Sequence, residues 1–182
     1  MRRILALLLA IVTVAPLSCA SAPRASAPRP PLIELSTLRR AVDVDGIRYV
    51  AAYVSLEDFV EFAQSRPDLT VNEKSEVRLR APEIFAELLD PARFITAQPS
   101  VPDWVLAGSG AFQTANDEKI FLGVGNVSKH NDSPDALAQN LARAQLSSML
   151  QRIWDRIIPP SDLLNRPSWV AEVPMEVGGA PP

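Results

Sequence analysis

The apolar positions of this chain fall first into runs with a period near two, then into runs with a helical period, and then back again. Thr37 to Val44 and Ile47 to Val54 read as two strands joined by Asp45-Gly46. That dipeptide is a strong hairpin signal, because a two-residue turn needs positive φ at both central positions. The second strand, Ile-Arg-Tyr-Val-Ala-Ala-Tyr-Val, is rich in aromatic and β-branched residues. Ser55 then stands as a helix N-cap with Asp58 three residues on, and Leu56 to Gln64 places Phe59, Val60 and Phe62 near one side before Pro67. Thr70 with Glu73 forms a capping box that starts a helix at Val71. Ile84, Phe85, Leu88 and Leu89 repeat at helical spacing behind Pro82, which suits the first turn of a further segment, and Pro91 stops it.

Residues 96–102 read as a loop. Trp104 to Leu106 and Ala111 to Gln113 read as short strands around Gly108-Ser109-Gly110, and Asn116-Asp117 turns the chain into a buried strand over Lys119 to Val127. The longest helix opens with Ser133 as N-cap, Pro134 at N1 and Asp135 at the positive end of the helix dipole. It is expected to run to Ile158, ahead of Pro159-Pro160.

Its apolar stripe changes face. Leu137, Leu141, Ala144 and Ser148 share one side, and Leu146, Leu150, Ile153 and Ile157 share nearly the opposite one. Two readings follow. Either the helix packs on a sheet early and on another chain or element late, or it is buried broadly with Ala138 and Ala142 in tight spots. Trp169, Ala171, Val173, Met175 and Val177 alternate with polar residues and predict a half-buried strand, which Pro174 places at an edge. The expected fold class is α+β: a small, mainly antiparallel sheet with helices on one face, including one long Ala-rich helix.

The N-terminus has a different pattern. Arg2 and Arg3 precede an uncharged run from Ile4 to Val14, and Pro16 stands before the small residues Ser18, Cys19 and Ala20. The run has the length of a signal-peptide core and falls short of the roughly 20 apolar residues a spanning helix needs. The chain is therefore expected to be exported. Two processing routes are open. Cleavage before Cys19 would leave a thiol for a diacylglyceryl group, as the resemblance of Leu17-Ser18-Cys19-Ala20 to a bacterial lipoprotein signal implies. Cleavage after Ala20 would use Ser18 and Ala20 as the small pair. The single cysteine of the chain sits at the lipidation position, which favours the first route. Residues 20–31, dominated by Ala, Ser and Pro, suit an extended tether. The expected organisation is thus 1–18 signal peptide, 19–35 anchor cysteine and tether, 36–177 one α+β domain, and 178–182 a disordered tail.

Composition narrows the function. The chain has 182 residues, 47% hydrophobic and 21% charged, with 18 basic against 21 acidic side chains and a net charge of −3. Loss of Arg2 and Arg3 with the leader makes it more acidic. That balance lacks the basic stripe a nucleic-acid binder needs.

Three stretches carry a family resemblance. Pro102-Asp103-Trp104-Val105, Ile120 to Gly125, and Asp135 to Ala138 continued by Leu141 to Leu146 resemble the bacterial Lpp-twenty (twenty-kilodalton lipoprotein) family. The Asp45-Gly46-x-x-Tyr49-Val50 hairpin and the Ser55 to Phe59 segment are similar to parts of its longer relatives, where such a hairpin follows the long helix. The resemblance implies a structural or assembly role at the cell envelope, with no catalytic residues and no cofactor. Ala20 after Cys19 suits outer-membrane sorting, so a periplasm-facing, lipid-anchored protein with envelope partners or self-association is expected. A soluble periplasmic or secreted small-ligand-binding module is the alternative.

Candidate chemistry is sparse. His130, the single histidine, lies in a polar loop with Asp132 and cannot build a multi-histidine zinc site. Ser109 in Gly-Ser-Gly lacks the strand–nucleophile–helix setting of a hydrolase elbow. Gly123-Val124-Gly125 lacks the third glycine of a dinucleotide fingerprint and reads as a strand with close backbone packing or a bulge. Glu83 and Glu87 read as a solvated face. Trp104, Trp154 and Trp169 are candidates for an aromatic cluster, as core or as a ligand cage.

Overall fold

The computed structural model describes residues 27–159 and 168–179. The export segment and Cys19 lie outside the described residues. The fold is α+β, with an antiparallel sheet in the order β1-β2-β4-β3 and a short β5 beside β2. The strands are β1 Val42–Val44, β2 Ile47–Ser55, β3 Gly110–Gln113, β4 Lys119–Ser128 and β5 Glu176–Val177. The helices are α1 Leu35–Leu38, α2 Leu56–Ser65, α3 Val71–Leu88, α4 Asp103–Ala107 and α5 Pro134–Ile157.

The local signals act where the sequence places them. Asp45 and Gly46 both have positive φ, at 49° and 79°, as the tight hairpin between β1 and β2 requires. Ser55 accepts the Asp58 N–H, and Thr70 and Glu73 cap each other reciprocally. β2 is buried from Val50 to Ser55, because both faces of the sheet are covered. Val50, Ala52, Val54 and Phe121 face α2, α3 and α5. Ala51, Tyr53, Ile120 and Leu122 face a second core built with Ile33, Leu38, Trp104 and Phe112. The three longer helices thus occupy one face, and α1, α4 and the N-terminal segment close the other.

Four segments depart from the pattern-based expectation. The first half of Thr37 to Val44 winds into α1, so β1 holds only three residues. Pro82 lies inside one continuous helix rather than opening a second one. The backbone bond lost there is offset by neighbours Ala81, Ile84 and Phe85, all buried in the core. Trp104 to Leu106 is helical: Pro102 leads into α4, and Trp104 and Ala107, three residues apart, point into the second core. In the 169–177 stretch, Ser168–Glu172 is a 3-10 helix and only Glu176–Val177 pairs with β2. Val170 and Val173, three residues apart, are the buried pair.

The stretch read as tether over 19–35 packs on the domain from Arg29 onward. Arg29 exchanges backbone hydrogen bonds with Ile95, Ile33 bridges Thr114, and the Ile33 side chain is fully buried. The Arg29 guanidinium forks onto Asp103 at 2.6 and 2.9 Å, and the Leu32 N–H donates to the same carboxylate at 2.8 Å. At the other end, Gly178 and Gly179 donate to Ala51 and Arg39 carbonyls.

Candidate functional site

α5 lies across β4 in direct backbone contact. A Cβ on Gly125 would overlap the Ala138 carbonyl oxygen and stand 2.5 Å from the Ala142 nitrogen. A Cβ on Gly123 would stand 2.7 Å from the Leu146 nitrogen. Gly123 and Gly125 therefore serve close approach, and Ala138 and Ala142 are the fully buried residues that sit over them. From Leu146 onward the helix buries large side chains: Leu146, Leu150, Ile153, Trp154 and Ile157.

Leu137 and Leu141 are displaced from the contact and remain 45% and 44% exposed. They share a ridge with Gln145, which borders β3, so the leucines overhang the β3 side of β4. Among the described residues, that flank of β4 is open beyond β3. β3 pairs only with Lys119 to Leu122, while β2 covers the opposite flank from Ile120 to Ser128. The Val124 N–H points to the open side, where Ser109 Oγ accepts it at 2.9 Å. By antiparallel alternation the N–H and C=O of Asn126 point the same way. Among the described residues, no strand pairs with them.

A cleft of about 380 Å³ lies next to this ridge, between the end of α3, β3 and the second half of α5. Arg93, Arg152 and Arg156 line it with Gln145 and Ser109. Its apolar lining comes from Leu88, Met149 and Ile153. Arg93 is held over the Phe112 ring, 5.1 Å from its centroid, and both terminal nitrogens reach the Ser109 carbonyl at 3.4 Å. Gly110 makes room for it, since a Cβ there would stand 2.5 Å from Arg93 Nη1. Arg156 pairs with Glu87 at the rim. Among the described residues Arg93 and Arg152 form no ion pair; Arg152 donates only to Ser148 Oγ, at 3.3 Å. The pattern did not single out these arginines. The visible signal was Arg152 and Arg156 at i, i+4 on one helix, a like-charge pair that is unfavourable without a counter-charge.

The residues weighed earlier for chemistry are dispersed. Ser109 borders this cleft as an acceptor, its Oγ for the Val124 N–H and its carbonyl for Arg93. His130 is exposed in the turn after β4, its backbone N–H donating to Ser128 Oγ. Glu87 is engaged by Arg156, and Glu83 is exposed. Trp104 and Trp154 belong to cores on opposite faces of the sheet, so they form no common cluster, and the Trp169 side chain lies outside the described residues. Trp104 Nε1 is buried without a hydrogen-bond partner among the described residues. No group of three or more His, Cys, Asp or Glu there could hold a metal, and no helix there is long and apolar enough to cross a membrane.

Electrostatics elsewhere tie elements together. Arg48 donates to Asp135 at 2.6 Å and to Asp43 at 3.1 Å, joining the hairpin to the start of α5. The Arg48 hydrogen bond holds the Asp135 carboxyl below its ordinary value. Burial pushes the Tyr53 phenol up, partly countered by its hydrogen bond to Arg39.

No protein-family model matches the chain, and neither does any curated protein sequence or solved structure.

Proposed function

We propose that this chain is an exported, non-enzymatic envelope protein, anchored through a lipid on Cys19, facing the periplasm and acting by assembly with a second copy of itself. The observation that carries the assembly role is the open flank of β4 overhung by Leu137 and Leu141. Such a flank offers the backbone donor and acceptor of Asn126 beside exposed apolar side chains. It is also self-complementary. Antiparallel pairing about Asn126, whose N–H and C=O would exchange with those of the second copy, would bring the two pairs of leucines onto one face, the isologous arrangement of a two-fold dimer. The order of Arg2-Arg3, apolar run and Cys19 supports export and anchoring, and the resemblance to the Lpp-twenty lipoproteins supports the envelope setting. The bidentate Arg29–Asp103 contact would hold the domain within ten residues of the anchor.

Mass spectrometry of the mature N-terminus tests the anchor, with Cys19→Ser as control. An acylated Cys19 is expected, and a free N-terminus at Ser21 overturns it. Sedimentation of wild-type and Asn126→Pro chains tests the assembly. A wild-type dimer that the proline converts to monomer is expected. A monomeric wild type, or a complex formed only with another envelope protein, refutes self-pairing.

The cleft beside α5 favours a second reading, a small-ligand-binding module. Such a module and an assembly protein are compatible in one domain.

A further inference from the structure

The clefts of this domain differ in charge. The one beside α2 and β5 presents Asp58, Glu61 and Glu176 around Phe62 and Met175. The larger one between α2 and α3, about 670 Å³, sets Glu57, Glu61, Asp117 and Glu118 against only Arg78 and Lys119, so its lining is acidic on balance. The cleft between α3, β3 and α5 is lined by three arginines and by no carboxylate. In a chain with a net charge of −3, this places Arg93 and Arg152, with Arg156 paired to Glu87 at the rim, around an apolar lining.

We infer that this cleft binds an oxyanion, phosphate or carboxylate, carried on a short apolar body. Three features select that ligand. Guanidinium groups stay charged and match phosphate and carboxylate oxygens with paired N–H donors. Arg93 is pre-positioned by Phe112 and the Ser109 carbonyl, and Gly110 leaves space for its guanidinium, so little side-chain freedom is lost on binding. Met149 and Ile153 are 8% and 1% exposed and form a floor that would hold alkyl groups, with Gln145 as a further polar contact at the edge. Arg152 and Arg156, one helical turn apart, repel each other until an anion bridges them, and Glu87 relieves only Arg156. The volume lies within the range of small-molecule sites, roughly 300–1,000 Å³. A soluble anionic amphiphile and the headgroup of an anionic phospholipid share this chemistry.

The methionines provide the test. Met149 lines this cleft and Met175 lines the acidic one, so their methyl signals report the two sites separately. The full chain, labelled with ¹³C-methyl methionine and held in neutral phosphatidylcholine nanodiscs, is titrated with hexyl phosphate and, separately, with inorganic phosphate. Hexyl phosphate is expected to shift the Met149 methyl and leave Met175 in place. Inorganic phosphate is expected to bind roughly tenfold more weakly, since it buries no alkyl stem. A second arm replaces the neutral lipid with phosphatidylglycerol. A Met149 shift there without added ligand supports the site with the lipid headgroup as its source. A shift with hexyl phosphate alone supports it with a soluble anion as its source.

Arg152→Gln, at an exposed position, is expected to weaken binding roughly tenfold or more, the scale of a lost charge-assisted hydrogen bond. Arg93→Gln should do the same, and Arg152→Gln keeps the test decisive if loss of the Phe112 contact unfolds Arg93→Gln. The assignment is overturned if Met149 does not move in either arm, if Met175 moves as much, if inorganic phosphate binds as tightly as hexyl phosphate, or if Arg152→Gln leaves binding unchanged.

Discussion

The two halves of α5 meet the rest of the protein by different means. In the first half, backbone lies on backbone: Ala138 and Ala142 rest over Gly125 and Gly123, and the leucines beside them stay exposed. In the second half, side chains interdigitate: Leu146, Leu150, Ile153 and Trp154 fill the core with α2, α3 and the 3-10 helix. Proximity in the first half is gained by removing side chains, which leaves Leu137 and Leu141 free to serve an interface. The second half spends its apolar residues on stability and its arginines on the neighbouring cleft. One helix thereby separates holding the fold together from presenting a surface.

Substitutions can break this contrast. Gly125→Val should have the largest effect, because its branched side chain would have to push α5 off β4. A loss of about 4 kcal/mol or more is expected in urea denaturation, the class reserved for overpacking without relief. Leu150→Ala, in the second half, should cost about 3 kcal/mol as a cavity in a core where the residue is fully buried. If Gly125→Val costs less than Leu150→Ala, the first half is not a close backbone contact.

Asp135→Asn should have a smaller effect, at most about 1 kcal/mol after solvent screening. Its sign depends on pH. The Arg48 hydrogen bond depresses the Asp135 carboxyl in the folded state, so its contribution is present above the unfolded value and is lost as pH falls through the folded one. The variant should therefore match wild type at strong acid, fall below it toward neutrality, and show a flatter acid limb in thermal melts measured from pH 7 downward. The smallest effect on stability belongs to Leu137→Ser with Leu141→Ser, within about 0.5 kcal/mol per site, since both side chains are exposed. The same pair should abolish dimer formation in sedimentation. A large loss of stability would mean that these leucines belong to the core.

Signals that act within a few residues were legible in the chain. The Asp45-Gly46 turn, the Ser55 cap and the Thr70–Glu73 box act through neighbouring backbone groups where the sequence puts them, and α5 starts at Pro134 as expected, although the Ser133 side chain makes no capping hydrogen bond. The run Lys119 to Val127 is one strand, extended only to Ser128. The tight spots for Ala138 and Ala142 were among the readings the sequence offered, and at Gly123-Val124-Gly125 it offered close packing or a bulge, of which the structure has the close packing. What it left undecided was which face of early α5 is buried. Hydropathy favours leucine over alanine, but at that point the facing residues are glycines, and the shorter side chain wins the contact.

The same limit explains Trp104 and Val173. A short apolar segment has no period of its own to distinguish helix from strand, and the second core, reached by Trp104 and Ala107 at helical spacing, decides it. The anion cleft was less legible still, because Arg93 and Arg152 are distant in sequence and are joined only by the packing of α5 beside β3.

By itself, then, the sequence determined the α+β class, the local starts and turns, and the expectation of export with Cys19 as the anchor. These depend on composition and on chemistry between near neighbours. The tertiary structure alone decided the burial of alanine in place of leucine, the docking of Arg29 to Leu38 onto the second face, and the meeting of three arginines over an apolar floor. Each of these depends on the size and charge of residues brought together from distant parts of the chain.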